Sequence, residues 1–515
     1  MSIETELKLQ ISPEKIVDFQ QHPLLQTAKQ GLTEKWLHNT YFDTPAHDLL
    51  AAGAGLRIRL IEDRRLQTLK TGGQTQNGLH QRHEWEVEVS SDTPDLKLLP
   101  KFMRIKGLSR KSLQQQLIPV FITEFKRSTW DLQWDNDTLI EIALDQGQIR
   151  TEKNEQLTLI SEIELELKSG SPSALYQVAL ALQMDIALTL ENRSKAERGY
   201  ALHHPPEIVA HKAGQVALMP EDNAETAFMT ICWHCLNQLQ ANEAAILQHN
   251  DPEGIHQMRV ALRRLRSAFT LFRDLIPKST QAVFYEDLKW ITEQLGIARD
   301  WDIFYLTLAE MATQLIAIDS DYDLSPLKQT VIDLQQTAYH HVHSVLMGQR
   351  YHRLLLQLGY WLTERVWRLH LNAEQLLLLT QPAIEFANRT LHKRYQKLQK
   401  KGEKLSILSA NERHQVRIEV KKLAYGSRFF AALYPSKVTH QYSQKLSQMQ
   451  DVLGVLNDGY VADQLCQKAQ ILPDSYLHAL LKGWYLHQYA LQQQQLDADW
   501  QALLTQKIFW QKPNP

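Results

Sequence analysis

The feature that most constrains this chain is a change of hydrophobic period near residue 200. Before it, short β-branched and aromatic runs alternate with polar residues at period two, separated by turn signals such as Thr71-Gly72-Gly73 and Asn77-Gly78. That is the pattern of half-buried strands. Residues Pro172 to Met184 read as a helix, and the prolines of His203-His204-Pro205-Pro206 then interrupt regular structure. Beyond about residue 222 the period becomes 3.6, with Leu, Ala and Gln abundant and glycine scarce, which predicts helices throughout. The expected fold class is α+β in two domains: a strand domain over 1–203, a linker over 204–221, an all-α domain over 222–490 and a tail over 491–515.

The helical region repeats itself. A shift of 158 residues lays His256-Gln257-Met258-Arg259-Val260 on His414-Gln415-Val416-Arg417-Ile418, and Arg263-Arg264-Leu265 on Lys421-Lys422-Leu423. The same shift lays Leu295-Gly296-Ile297 on Leu453-Gly454-Val455 and Asp300 on Asp458. Motifs sharing one offset predict two related helical bundles, over about 222–315 and 376–480, with roughly 316–375 as additional helical material between them.

Composition excludes several function classes. With 43% hydrophobic and 22% charged residues the chain is neither disordered nor collagen-like. Its 56 basic and 58 acidic residues nearly cancel, so any electrostatic function rests on local segregation of charge. Cys232, Cys235 and Cys466 are too few for a disulfide framework and fit a reducing compartment. Glu4 and Glu6 stand where a signal peptide needs a basic and then an apolar stretch. No run approaches the roughly 18 apolar residues of a membrane span. A cytoplasmic protein without a membrane partner is expected.

The strands carry charge on one face. Glu4, Glu6 and Lys8 alternate with apolar or neutral residues, Arg57 and Arg59 with Leu56, Ile58 and Leu60, and Arg82, Glu84, Glu86 and Glu88 with Trp85, Val87 and Val89. Glu141 and Asp145 alternate with Ile140, Ile142 and Leu144, and Glu162, Glu164 and Glu166 with Ile163, Leu165 and Leu167. In one strand this would be an ordinary solvated face. Recurring in nearly every strand, it allows two arrangements of a curled sheet: an apolar lumen with a charged exterior, or a charged lumen with an apolar exterior packed under helices. The second gathers acids and bases in one cavity, which is unfavourable unless a metal and a polyanion bind there.

The Glu-x-Glu-x-Lys run of Glu4, Glu6 and Lys8 resembles the signature of the CYTH superfamily, the triphosphate tunnel metalloenzymes. Further matches are Tyr41-Phe42-Asp43-Thr44, Leu56-Arg57-Ile58-Arg59, Leu69-Lys70, Arg82 with Glu84, Arg127, Glu141 with Asp145, Glu162-Ile163-Glu164 and Ser194-Lys195-Ala196-Glu197-Arg198-Gly199. The resemblance spans about residues 1–202. It implies an eight-stranded antiparallel tunnel barrel with flanking helices and a charged lumen, and so selects the second arrangement. It also implies a metal-dependent triphosphatase that hydrolyses tripolyphosphate.

On that reading Mg²⁺ or Mn²⁺, which take oxygen ligands, falls to Glu4, Glu6, Glu162 and Glu164, with the water-activating metal on Glu162 and Glu164. Lys8, Arg57, Arg59, Lys70, Arg82, Arg127 and Lys195 are expected around the triphosphate, the arginines as two-pronged donors. Tyr41, Glu84, Glu141, Asp145 and Arg198 are expected to orient them. Positioning and electrostatic stabilisation suffice for in-line attack of a metal-activated water on a terminal phosphorus.

In the helical region His256, Arg259, Arg263 and Arg266 fall within one sector roughly 80° wide, away from Met258, Leu262, Leu265 and Phe269. His414, Arg417, Lys421 and Arg428 form the second copy, with Lys422 beside it, and Lys393 to Lys404 adds further positive charge. A solvated face would explain one stripe; two copies at one offset favour an anion-binding surface. The duplicated His-x-x-Arg-x-x-x-Arg-Arg pattern resembles the CHAD domain over about 222–480, as do Leu295-Gly296 with Arg299-Asp300 and Leu453-Gly454 with Asn457-Asp458. That resemblance implies binding of inorganic polyphosphate and placement in the cytoplasm or at a polyphosphate granule. The second copy departs from it in using Lys421 and Lys422 for arginines.

Other chemistries find less support. Cys232-Trp233-His234-Cys235 lies in a helical pattern and reads as a core-packed pair, not a zinc knuckle. No Walker loop, dinucleotide fingerprint or Ser/His/Asp signature emerges. Nucleic acid is a rival for the basic stripes, but they lack the aromatics of a single-strand platform. Two alternatives stay open: a polyphosphate-binding adaptor whose tunnel does not catalyse, and an adenylate cyclase, thiamine triphosphatase or nucleoside triphosphatase on the same tunnel fold. Oligomeric state is not encoded legibly.

Overall fold

The computed structural model describes residues 2–99, 109–151, 156–318, 324–473 and 475–511, and for 2, 30, 31, 316–318 and 455–462 the backbone alone. It divides into two compact units, residues Met1–Ile208 with Met347–Arg365, and Val209–Leu346 with Val366–Pro515.

The first unit is built on strands β1 (Ser2–Ile11), β2 (Gln30–Asp43), β3 (Ala54–Ile61), β4 (Arg64–Gln76), β5 (Leu79–Val89), β6 (Ile118–Gln133), β7 (Leu139–Thr151), β8 (Leu157–Ser169) and β9 (Leu188–Leu190). They pair in the order β5-β4-β3-β2-β6-β7-β8-β1, and β1 pairs again with β5, closing an antiparallel barrel of eight strands. Closure removes both edges that an open sheet would leave unpaired. On the β5 side of β1 the short β9 takes over where β5 ends, pairing Leu9 to Ile11 with Leu190 to Leu188.

The alternation decides which face looks inward. Leu7, Leu9 and Ile11 of β1, Ile140, Ile142 and Leu144 of β7, and Ile163 and Leu165 of β8 form one apolar cluster with Leu175, Tyr176, Val178, Ala179 and Leu182 of the helix Ser173–Leu182. The greasy face is therefore outside, beneath helices, and the charged face is the lumen. Of the two arrangements compatible with the pattern, this is the second.

The expected helix after Pro172 is present as Ser173–Leu182. One division differs from the expectation: the span 222–490 is not a single unit, because the helix Gln349–Glu364 belongs with the barrel. Its Leu356 joins the barrel's apolar cluster and Tyr360 packs against it. This helix is amphipathic like its neighbours in sequence, so periodicity alone does not reveal which core receives it.

The second unit is helical. The stripe sequences occupy the helices Pro252–Leu271 and Ala410–Phe429, and the two Leu-Gly motifs lie in the long helices Ala282–Ile318 and Ser436–Lys468. Asn457 and Asp458, matched to the first copy by sequence, fall outside the described side chains.

Candidate active site

The barrel encloses a cavity of about 600 Å³ lined by charged side chains from every strand of the eight but β2, which contributes Tyr41, and by Lys195 and Glu197 of the helix Lys195–His203. Thirteen of the residues expected there line it: Glu4, Glu6, Lys8, Tyr41, Arg57, Arg59, Lys70, Arg82, Glu84, Arg127, Glu141, Glu164 and Lys195. Asp145, Glu162 and Arg198 lie behind the lining. Glu86, Glu166 and Lys168 face the cavity although no role was expected of them; the signal for Glu86 and Glu166 was present, since each continues an alternating acidic series.

The charges are partly segregated, with Glu84 and Glu86 among the bases and Lys8 and Lys168 among the acids. Arg57, Arg59, Lys70 and Arg82 project from β3, β4 and β5, whereas Glu6, Glu141, Glu164 and Glu166 project from β1, β7 and β8. Strand register explains the acidic wall: Glu166 of β8 is the cross-strand partner of Glu6 on one side and of Glu141 on the other. Lys168 Nζ lies 2.8 Å from Glu166 and 3.6 Å from Glu141. In total, eight basic and eight acidic side chains line the cavity.

At one end the charges interlock. Lys8 Nζ lies 2.9 Å from Glu6 and also bonds Glu164. Burial alone would raise the Glu6 carboxyl, but Lys8 overrides it and holds the group down to about 2. Glu164 is likewise buried, yet Lys195, Lys8 and Arg127 keep it well below the usual carboxylate range. Glu4 behaves oppositely: burial outweighs its contact with Lys70 and pushes its carboxyl upward.

On the basic wall Arg57, Lys70 and Arg82 each meet a carboxylate. Arg57 Nη1 donates to the Tyr41 hydroxyl at 3.3 Å and lies 3.8 Å from Glu84. Arg59 donates through Nε to the Asn39 side-chain oxygen at 2.8 Å. Burial, then the neighbouring Arg57 and Arg127, pull its guanidinium down to about 10. A buried cation destabilised by its surroundings is a ready acceptor for an anion.

Lys195 is placed by local sequence. Ser194 caps the helix Lys195–His203 in a reciprocal capping box with Glu197, and Glu197 also lies 3.3 Å from Arg82. Lys195 Nζ reaches Asp145 at 2.6 Å and Glu164 at 2.9 Å, and bonds Glu162. Asp145, Glu162 and Glu164 each bring an oxygen within 4.8 Å of the others, a hard donor set suited to a divalent cation. Glu162 is fully buried with its two oxygens on Lys195 and Arg198, and Glu164 also has both oxygens bonded, to Lys8, Lys195 and Arg127, but faces the cavity with Glu6, Glu141 and Glu166.

In the second unit, Arg259 Nη1 donates to the Thr292 carbonyl at 2.9 Å across Gly296, where a Cβ would stand 2.6 Å from that nitrogen. Gly454 stands in the same relation to Arg417 at the looser distance of 3.9 Å. The two Leu-Gly motifs thus provide passage for the two stripe arginines. Burial, then Arg263, lowers Arg259 to about 10. Arg263 donates to the Tyr425 hydroxyl at 3.2 Å, which links the two copies. His256 is half-buried, while Arg266, His414 and Arg428 are exposed. Lys422 departs from the expected stripe: its Nζ lies 3.3 Å from the buried Glu419, toward which Lys397 and Lys401 also point. Cys232 and Cys235 are buried free thiols, both raised by burial, in keeping with a core pair. Among the described residues no helix is long and apolar enough to cross a membrane.

Comparison with known proteins finds two domain families along the chain. Models of the CYTH domain and the CHAD domain match residues 2–200 and 230–467. An inorganic triphosphatase of Haemophilus influenzae is 37% identical over 203 residues, which cover 39% of this chain and 54% of the relative. The chain thus spans about half the length of that curated relative. The crystal structure of a CHAD domain from the plant Ricinus communis shows 33% identity, covering 59% of this chain and 99% of that one, with a TM-score of 0.49. A Hippeastrum protein described as an adenylyl cyclase with dominant triphosphatase activity shows 19% identity, covering 38% of this chain and 95% of that one, with a TM-score of 0.29. The chain contains a CYTH domain, which forms the closed eight-stranded barrel, followed by a helical CHAD domain.

Proposed function

We propose that the barrel is a metal-dependent inorganic triphosphatase that cleaves tripolyphosphate to pyrophosphate and orthophosphate. The observation that carries this reading is the cavity's balance of eight bases and eight acids in one enclosed lumen. A triphosphate placed there alone would leave a large negative surplus in a partly desolvated site, and accompanying divalent cations would offset it. Arg57, Arg59, Lys70 and Arg82 fix the phosphate chain and absorb charge as the bond breaks. Glu4, Glu6 and Glu164, with Glu166 and Glu141 alongside, would hold Mg²⁺ or Mn²⁺, which supplies an activated water and polarises phosphoryl oxygens. Asp145, Glu162 and Arg198 keep Arg127 and Lys195 in place.

The similarity to an inorganic triphosphatase over this same segment supports the choice. Purified protein with Mg²⁺ or Mn²⁺ is expected to release orthophosphate from tripolyphosphate, and Glu4→Gln to abolish release. Full turnover in that variant would reject the metal assignment. A panel of triphosphates with product identification separates this activity from cyclisation, which releases pyrophosphate from ATP. A barrel that binds polyphosphate without turnover would instead be an adaptor.

For the helical domain we propose polyphosphate binding along the stripe of His256, Arg259, Arg263, Arg266, His414, Arg417, Lys421 and Arg428. The shared offset and the matched glycine passages support it. Replacing Arg259, Arg263, Arg417 and Lys421 with Ala is expected to weaken salt-sensitive binding. Unchanged affinity would reject the surface.

A further inference from the structure

We infer that the helix Gln349–Glu364 is a two-point brace for Lys8, with His352 and Asn77 as positioning residues of the tunnel. Lys8 sits where the neighbour of β1 changes from β5 to β9. Its backbone N–H donates to the Gly78 carbonyl at 3.0 Å, and its carbonyl accepts from the Glu191 N–H at 3.0 Å. Each of those partners follows directly a residue gripped by the helix. Asn77 Nδ2 donates to the Leu355 carbonyl at 2.6 Å, and the Leu190 N–H donates to His352 Nδ1 at 3.2 Å. Gly78 N–H bonds the Asn192 side-chain oxygen at 2.8 Å, tying the two flanks together.

The grip is tight and dry. Asn77 is 1% exposed and His352 5%. Gly359 lets the helix approach so closely that a Cβ there would stand 2.4 Å from the Tyr176 ring and 2.6 Å from Asn77 Nδ2. Tyr176 in turn donates to the carbonyls of Gln76 and Asn77 at 3.2 and 3.3 Å. A segment that starts 180 residues beyond the end of β8, the last of the eight barrel strands, thus sets the backbone under a lysine that contacts Glu6 and Glu164 in the cavity. Small displacements of a substrate-positioning group have large kinetic consequences, so the barrel is incomplete without residues that lie inside the sequence of the CHAD match.

The test uses the full chain in three variants: Gly359→Ala, His352→Ala, and His352→Asn, whose side-chain oxygen restores an acceptor. Hydrogen exchange is followed at the Lys8 amide and across β6 and β7, and the kinetic constants for tripolyphosphate are measured with Mn²⁺. Gly359→Ala and His352→Ala are expected to speed exchange at Lys8 about tenfold with β6 and β7 unchanged. They should raise KM for tripolyphosphate severalfold with little change in kcat, and His352→Asn should restore both. Unchanged exchange at Lys8, equal acceleration throughout the barrel, or failure of His352→Asn to rescue would each overturn the brace. The kinetic arm rests on the proposed triphosphatase reading. If the unaltered protein does not turn over tripolyphosphate, that reading fails while exchange still decides the brace.

Discussion

Arg127 meets Asp145 in a two-pronged contact, Nε to Oδ1 at 2.7 Å and Nη2 to Oδ2 at 2.6 Å, behind the cavity wall. Asp145 is wholly buried and also receives Lys195 at 2.6 Å. One carboxylate therefore holds two of the cations that line the cavity. Removing that charge leaves Arg127 and Lys195 to Glu164 and Glu162 alone, and breaking a buried pair of this kind costs about 3–5 kcal/mol. Asp145→Asn is expected to lose stability on that scale in a urea titration, with a lower midpoint at unchanged slope. A loss below about 1 kcal/mol would mean that water or another acid compensates Arg127 and Lys195.

The acid limb of stability follows from the interlocked carboxylates. Glu6 is held at about 2 against an ordinary value of 4.5, and Glu164 is lowered as well. A depressed carboxyl stabilises the folded state fully above its unfolded value, and that contribution is lost as pH falls through the folded one. Glu4 is shifted the other way, so its negative charge opposes folding above its own pKa. Denaturation midpoints are therefore expected to hold steady near neutrality and to fall as pH drops below 4.5 toward 2. Mg²⁺ should raise the midpoint at pH 6 in the unaltered protein, in proportion to the logarithm of its concentration above Kd, and less so in Glu4→Gln. An equal rise in both would place the bound cation elsewhere.

How far the site was legible from sequence is clearest on β8. Alternation put Glu162, Glu164 and Glu166 on one face, and that is where they lie. It does not tell how far along the barrel axis each residue stands. Glu164 and Glu166 open into the cavity, whereas Glu162 is level with Lys195 and Arg198 of the capped helix. The pairing of Glu6 with Glu166 is likewise a product of register between strands far apart in sequence, and local pattern carries no register across about 160 residues. The barrel-bound helix Gln349–Glu364 escaped for a related reason, since the choice of partner core is a long-range property. Glu166→Gln is accordingly expected to raise the Mn²⁺ concentration needed for half-maximal turnover with folding intact. Glu162→Gln should mainly lower the unfolding midpoint, and the reverse pattern would return Glu162 to the metal.

The paired glycines of the helical domain invite an asymmetric test. Gly296 and Gly454 lie in helix interiors, where Ala is ordinarily more stable by roughly 0.5–1 kcal/mol. A Cβ at 296 would stand 2.6 Å from the Arg259 guanidinium, but at 454 it would meet Arg417 at 3.9 Å, an ordinary contact. The obstructing atom at 296 is the end of a flexible side chain, so the guanidinium gives way and the helix keeps its gain. In doing so Arg259 leaves the Thr292 carbonyl that fixes it. Gly296→Ala is expected to keep or raise the thermal midpoint while weakening polyphosphate binding severalfold in a calorimetric titration, and Gly454→Ala to leave affinity unchanged. Equal losses at the two positions would show that the stripe responds to general helix repacking and not to the direction in which Arg259 points.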